Sequence, residues 1–173
     1  MASGNLIYKD TDSNLYYAAI KGTDISDGTK IASDVEYLKV AENGDYVYYM
    51  KDCEDSEGSL YGYKIGDSEP KKVGSDIGCY SSSYYSYGYY QISSSGSTVY
   101  YIKDVESVKD TYTDYGTLMK WNYSSGESEK ISSDVTEVSL SSALSSSEIN
   151  ENGFMFLKYA SVDSESNIGQ LEI

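Results

Sequence analysis

The sequence predicts an all-β fold built of β-propeller-like four-stranded repeats, about three and a half blades in all. Two recurring phrases predict it. The first is an aromatic strand closed by Lys-Asp: Asn5-Leu6-Ile7-Tyr8-Lys9-Asp10, Asp45-Tyr46-Val47-Tyr48-Tyr49-Met50-Lys51-Asp52 and Thr98-Val99-Tyr100-Tyr101-Ile102-Lys103-Asp104. A degenerate copy runs Gly153-Phe154-Met155-Phe156-Leu157-Lys158-Tyr159. The second phrase follows in fixed order: Ile31-Ala32-Ser33-Asp34-Val35, Val73-Gly74-Ser75-Asp76-Ile77 and Ile131-Ser132-Ser133-Asp134-Val135. A spacing of roughly 40 to 55 residues is the period range of propellers and solenoids. A β-sandwich, the alternative, also has many short strands but gives no reason for the same phrases to return in order.

The repeats divide the single domain 1–173 into units of about 5–43, 44–95, 96–152 and 153–173. In the first unit, strands are expected at Leu6–Lys9, Leu15–Ile20, Thr29–Ala32 and Tyr37–Ala41, where β-branched and aromatic residues gather. Turn-forming runs such as Asp10-Thr11-Asp12-Ser13-Asn14 and Glu42-Asn43-Gly44-Asp45 separate them. The second unit offers Tyr46–Lys51, Ser59–Ile65, Lys71–Val73 and a long segment Tyr84–Ile92. The third offers Thr98–Lys103, Gly116–Tyr123, Glu129–Ile131 and Thr136–Leu140. The fourth has only Phe154–Tyr159 and Ile168–Ile173. No segment reads as a helix. Aligning the phrases places Tyr49 and Tyr101 at equivalent inner-strand positions, within continuous apolar runs that suit strands buried on both faces.

These units resemble the bacterial propeller-like repeats of a domain of unknown function. The resemblance rests on the first phrase, a Leu-Tyr or Leu-Met second strand (Leu15-Tyr16, Leu60-Tyr61, Leu118-Met119) and the Ser-Asp-Val or Ser-Asp-Ile turn. That domain is compared with the propellers of lipoprotein-receptor-related proteins and with TolB-like repeats. The likeness implies a surface-exposed bacterial module and a fold, not a reaction. It also exposes a deficit, since a closed ring of this type has six or more units. Open repeat ends expose sheet faces and edges, so the chain is expected to belong to a longer propeller or to self-associate.

Composition narrows the chemistry. Acidic residues number 28 against 13 basic ones, all lysine, for a net charge of −15. Such a surface repels phosphate backbones, and no nucleic-acid partner is expected. With no His and no Arg, the chain lacks an imidazole base, an ordinary zinc site and a bidentate anion clamp. No cofactor is expected, and no enzymatic activity. The alternative is a glycan-active enzyme or its remnant, working through two carboxylates; a further alternative is an architectural spacer. No apolar run is long enough to span a membrane, and the 21 tyrosines with abundant Ser and Asp suit a cell exterior. The expected role is an extracellular binding module of a bacterial surface protein, engaging a protein or a glycan.

Three groups of residues are candidate sites. Tyr85, Tyr87 and Tyr89 alternate along one strand and share a face; exposed, they would stack on sugars or pack on a protein, and buried, they would pack between blades. Asp10, Asp12 and Asn14 place oxygen atoms at alternating positions like the start of a calcium loop. Leu15 and Lys21 stand where an EF-hand needs Gly and Glu, so a polar turn is the other reading. Cys53, at the start of the loop after the unit's first strand, and Cys79, at the handover from third strand to fourth, are expected at one end of the blade. Either a disulfide or two thiols fits that placement.

Overall fold

The structure, a computed structural model, describes residues 3–83, 86–108, 113–136, 156–158 and 170–172. All regular structure among them is β, in 15 strands. The first blade comprises β1 (Ser3–Lys9), β2 (Leu15–Lys21), β3 (Asp24–Ile25) and β4 (Thr29–Ala32), with β2 at its centre. The second runs β5 (Glu36–Val40), β6 (Tyr46–Glu54), β7 (Glu57–Lys64) and β8 (Lys71–Ser81). Two short strands follow: β9 (Ser86–Gly88) pairs back on β8, and β10 (Tyr90–Ile92) pairs forward on β11 (Thr98–Val108). The third blade is thus β10, β11, β12 (Thr113–Asn122) and β13 (Ser128–Thr136), and the hairpin β14 (Phe156–Lys158) and β15 (Gln170–Glu172) joins it through Val135 and Lys158. Every pairing is antiparallel. The fold is β-propeller-like, and its sheet is open.

The second and third copies of both phrases form β-bulges. Asp52 and Asp104 have φ of 55° and 53°, and Asp34, Asp76 and Asp134 have φ of 55°, 58° and 60°. This left-handed region is one that Asp tolerates better than most residues. Pairing slips between Lys51 and Glu54, and again between Lys103 and Glu106. It slips once more where Gly58 faces Ile77 and Leu60 faces Gly74, and where Gly116 faces Val135 and Leu118 faces Ser132. An extra residue on one strand resets which face the next side chain takes. The residues so aimed are the core. Leu15, Leu60 and Leu118, with Val35, Ile77 and Val135, are all fully buried, each contributing roughly 1.5–3 kcal/mol.

Blades stack face to face. Leu15 and Val35 of the first pack on Val47 and Tyr49 of the second. Tyr48, Met50, Leu60 and Ile77 of the second pack on Val99, Tyr101 and Trp121 of the third. Tyr49 pairs with Tyr61, the residue after Leu60, and Tyr101 pairs with Met119, the residue after Leu118. The two tyrosines are therefore equivalent, as the aligned phrases predict, although each lies on the second strand of its blade.

Several sequence expectations shift. The strand expected at Tyr37–Ala41 to complete the first unit instead opens the second blade, because β5 pairs with β6. The strand expected to stop at Val73 continues to Ser81, and the single strand expected at Tyr84–Ile92 divides into β9 and β10. Glu129–Ile131 and the start of Thr136–Leu140 merge into β13, and residues 137–140 lie outside the described residues. The first Lys-Asp copy is also out of step by one residue. Lys9 pairs with Leu15, the place that Met50 and Ile102 hold opposite Leu60 and Leu118. Where the later copies bulge, this one closes in a tight turn, with the Ser13 amide donating to the Asp10 carbonyl.

Gly78 shows how closely the second and third blades meet. A Cβ there would lie 2.2 Å from Cδ2 of Tyr89 and 2.6 Å from Cγ2 of Val105. Gly78→Ala is expected to destabilise the protein by about 1–3 kcal/mol, the usual cost of overpacking a core. The urea midpoint measures it, and an unchanged midpoint would contradict this packing.

Candidate functional site

The second blade ends in a hairpin where β8 outruns the sheet and β9 folds back on it. Cys79 pairs with Gly88, Tyr80 with Tyr87 and Ser81 with Ser86. Alternation sends Cys79 into the core and Tyr80 to the surface, 38% exposed. The Tyr80 and Tyr87 rings lie 5.6 Å apart as a cross-strand pair, and Tyr87 continues to Tyr89 at 5.7 Å. The Ser81 and Ser86 hydroxyls, also exposed, are 3.1 Å apart on the opposite face of the ribbon. Tyr37 stands alongside. Burial raises its pKa, while a hydrogen bond with the Ser81 hydroxyl acts in the opposite direction. The paired positions thus offer an aromatic pair on one face and hydroxyls on the other, and carry no charge.

The stripe of Tyr85, Tyr87 and Tyr89 divides on this geometry. Tyr89 is 2% exposed, packs with Ile102, Leu118 and Val135, and donates to Oδ2 of Asp114 at 2.6 Å. It belongs to the core and presents no face to a ligand. Tyr87 is half-buried at the hairpin, and Tyr85 lies outside the described residues. Tyr80, Ser81 and Ser86 are the positions that the sequence reading missed. The signal for Tyr80 was the alternating run Ile77-Gly78-Cys79-Tyr80, obscured by the bulge at Asp76.

The polar turn at Asp10 is fully engaged with its own neighbours. Oδ1 accepts from the amides of Asp12 at 3.0 Å and Asn14 at 2.8 Å, and Oδ2 accepts from Nδ2 of Asn14 at 2.9 Å. The Asn14 side chain is the main influence holding the Asp10 carboxyl below its usual range. These bonds form an Asx-type turn. Among the described residues no group of three or more His, Cys, Asp or Glu is placed to hold a metal ion.

Cys53 and Cys79 lie together beneath the hairpin as free thiols. Their locations differ from expectation, because Cys53 sits within β6 at the Asp52 bulge and Cys79 lies inside β8. Cys53 hydrogen-bonds the Cys79 sulfur, which together with burial pushes the Cys53 thiol up. Glu36 accepts the Cys53 amide through Oε1 at 3.3 Å. Below them, the buried Tyr90 donates its hydroxyl to the Tyr37 carbonyl and, at 3.2 Å, to the Tyr48 carbonyl. Lys39 reaches the same residue from β5. Its Nζ donates to the Tyr90 carbonyl at 2.8 Å and lies 5.0 Å from the ring centroid. Burial lowers its pKa to about 8.

A concavity of about 420 Å³ elsewhere is lined by Lys120, Asn122, Ser125, Glu127, Ser128 and Glu129. It is an open groove over the β12–β13 turn, and both its glutamates are exposed. The two-carboxylate chemistry of glycosidases needs a site that holds a sugar between the acids.

No protein-family model matches the chain, and no curated protein matches it by sequence. Among solved structures, the tricorn protease superposes with a TM-score of 0.50 at 9% identity, covering 97% of this chain and 15% of that one. The β-propeller domain of the Trilobed protease from Pyrococcus furiosus gives 0.47 at 8% identity, covering 96% and 48%. TolB from Acinetobacter baumannii gives 0.44 at 11% identity, covering 97% and 38%. The chain spans less than half the length of each of these proteins. At such identity the likeness is one of fold.

Lys39 generates a pH prediction. Its ordinary pKa is 10.5 and its folded value about 8, so between these values the unfolded chain binds more protons. Stability from this group therefore rises with pH across that window, and the cost of the buried ammonium is present in full below it. Buried tyrosines such as Tyr90, whose pKa burial raises, oppose the rise once unfolded tyrosine ionises near pH 10. Urea unfolding at pH 8 and pH 10 should show Lys39→Met losing up to about 2 kcal/mol of relative gain against the wild type. Parallel profiles would show that burial does not hold the Lys39 pKa down.

Proposed function

We propose that the chain is a non-enzymatic binding module of a bacterial surface protein, and that the β8–β9 hairpin makes its contact. One observation carries this reading: the cross-strand pair of Tyr80 and Tyr87 on one face of the ribbon, with the Ser81 and Ser86 hydroxyls on the other. Tyrosine presents a rigid aromatic face with a polar tip, which suits stacking on a sugar ring or anchoring a protein surface. The uncharged character of the paired positions favours a neutral partner in a chain that otherwise repels anions. The acidic, tyrosine- and serine-rich composition supports a cell-surface setting. The side-by-side thiols also accord with export if they oxidise to a bridge there.

The test is a titration with neutral oligosaccharides followed by NMR, in the wild type and in Tyr80→Ala and Tyr87→Ala. Shifts centred on residues 79–81 and 86–88 are expected, with affinity falling at least about 30-fold in each variant, as for an aromatic anchor worth about 2 kcal/mol. Thermal unfolding of Tyr80→Ala should stay near wild type, since that ring is the more exposed of the two. Oligosaccharide binding that leaves the hairpin unperturbed would sink the proposal. If no oligosaccharide binds, the glycan form falls, and the protein-partner form is then tested with the same variants.

A further inference from the structure

The strands β6, β7 and β8 meet at the base of the tyrosine hairpin, and the two outer ones each bring a sulfur there. Cys53 follows the Asp52 bulge of β6, and Cys79 is the first residue of β8 that pairs with β9. Strand β7 lies between them, and Gly58 is what lets the sulfurs meet across it. That glycine is buried and faces Ile77 of β8; a Cβ on it would lie 2.7 Å from Sγ of Cys53. The Cys53 sulfur thus fills the side-chain space that β7 leaves open, and from there it reaches Cys79. Met50, Ile77 and Tyr90 wall the pair in the same apolar cluster. Cys79 is buried and Cys53 half-buried, and the chain has no other cysteine. The Cys79 amide donates to the Ser56 carbonyl at 2.8 Å, tying β8 to the β6–β7 turn. One residue earlier the Gly78 carbonyl accepts the Tyr89 amide, also at 2.8 Å. A covalent link at Cys79 therefore acts at the base of the ribbon that carries Tyr80 and Tyr87.

We infer that Cys53 and Cys79 are a dithiol site that closes to a disulfide by exchange with an external disulfide, and that closing it fixes the base of the β8–β9 ribbon. The half-buried Cys53 is the sulfur that such an oxidant reaches. Its thiolate attacks one sulfur of the oxidant, forming a mixed disulfide and releasing one thiol. The Cys79 thiolate then attacks Sγ of Cys53 and expels the second thiol. The two protein thiols give up two protons and two electrons, and the oxidant's disulfide takes them up as two thiols. The new bond closes residues 53–79 into a loop that restricts the unfolded chain. In the folded chain it holds β8 to β6, and a ribbon held in place is a pre-organised contact surface. The bond stands on its own geometry; only its effect on a partner rests on the binding role proposed for the hairpin.

The whole chain, held in reduced or in oxidised glutathione, tests this by intact mass with and without alkylation, by amide exchange and by thermal unfolding. Cys53→Ser is the control. Reduced protein should alkylate at both cysteines once unfolded. Oxidised protein should lose two hydrogens, stay a single chain and resist alkylation. Oxidation should slow exchange of the Cys79 and Tyr89 amides at least about tenfold and raise the melting temperature by about 6–12 °C. Cys53→Ser should show neither change. Protein that keeps both thiols in oxidised glutathione, stops at the mixed disulfide or links chain to chain overturns the inference. So does a bond that leaves exchange at the base of the ribbon unaltered. An oligosaccharide titration of both forms keeps the two readings apart: a bond that closes and slows exchange while no sugar binds supports this inference and counts only against the glycan form of the hairpin's role.

Discussion

The residues that set this architecture are aspartates held in the left-handed region of backbone space. At Asp34, Asp76 and Asp134, and again at Asp52 and Asp104, φ lies between 53° and 60°. Few L-residues sit there without cost, and the short polar side chain of Asp is among those that do. Asp52, Asp76, Asp104 and Asp134 each mark an extra residue in their strand that turns the alternation of side chains over, and Asp34 sits just past the end of β4. Without those resets, β8 would run from Val73 to Ser81 with one fixed parity, and Ile77 would lose its place opposite Gly58. The leucines and valines that join blades depend on these bulges for their direction.

Once the bulges fix direction, packing follows a single rule. Each of the three blades carries Leu and Val or Ile on one face and, on the other, a tyrosine paired with Tyr or Met: Tyr8–Tyr16, Tyr49–Tyr61 and Tyr101–Met119. The junction of the second and third blades fills with Tyr48, Tyr90, Tyr101 and Trp121, all at most 2% exposed. Their hydroxyls are placed rather than merely buried: Tyr48 donates to the Gly96 carbonyl at 2.8 Å, and Tyr101 shares a 3.0 Å bond with Ser128. Among the described residues no buried side-chain nitrogen or oxygen lacks a hydrogen-bond partner. A tyrosine-rich core is therefore compatible with dense packing, provided each ring reaches a polar atom with its tip.

The tyrosine hairpin arises where this rule stops. The split at Gly88 and Tyr89 lets one stretch serve two blades: β9 extends the second, and β10 starts the third. Tyr89 and Tyr90 fall at the crossover and face opposite core clusters. Tyr80 and Tyr87 lie beyond it, on a two-stranded ribbon where Tyr80 is exposed and Tyr87 packs against the edge of the third-blade cluster. The thiols, Glu36 and Lys39 gather beneath that ribbon because β5, β6 and β8 converge there. The tyrosine hairpin and the most strongly perturbed lysine among the described residues thus share one cause, the junction of two blades.

Much of this was legible in the sequence, for a physical reason. Repeats that bury identical faces must reuse identical residues, so the recurrence of Leu and of Ser-Asp-Val or Ser-Asp-Ile reported the fold and its core directly. The equivalence of Tyr49 and Tyr101 followed from the same recurrence. What recurrence cannot report is pairing across a unit boundary. That Tyr37–Ala41 belongs with the following strand is decided by backbone hydrogen bonds to β6, and local propensity is the same on either side. The one-residue slip at Lys9 depends on a tight turn standing where later copies bulge. The fates of Tyr87 and Tyr89, two residues apart in a run of near-identical side chains, were settled only by where the sheet divides. The sequence by itself determined the repeat and its core. Tertiary structure decided which tyrosines face solvent, because exposure belongs to the neighbouring blade as much as to the residue.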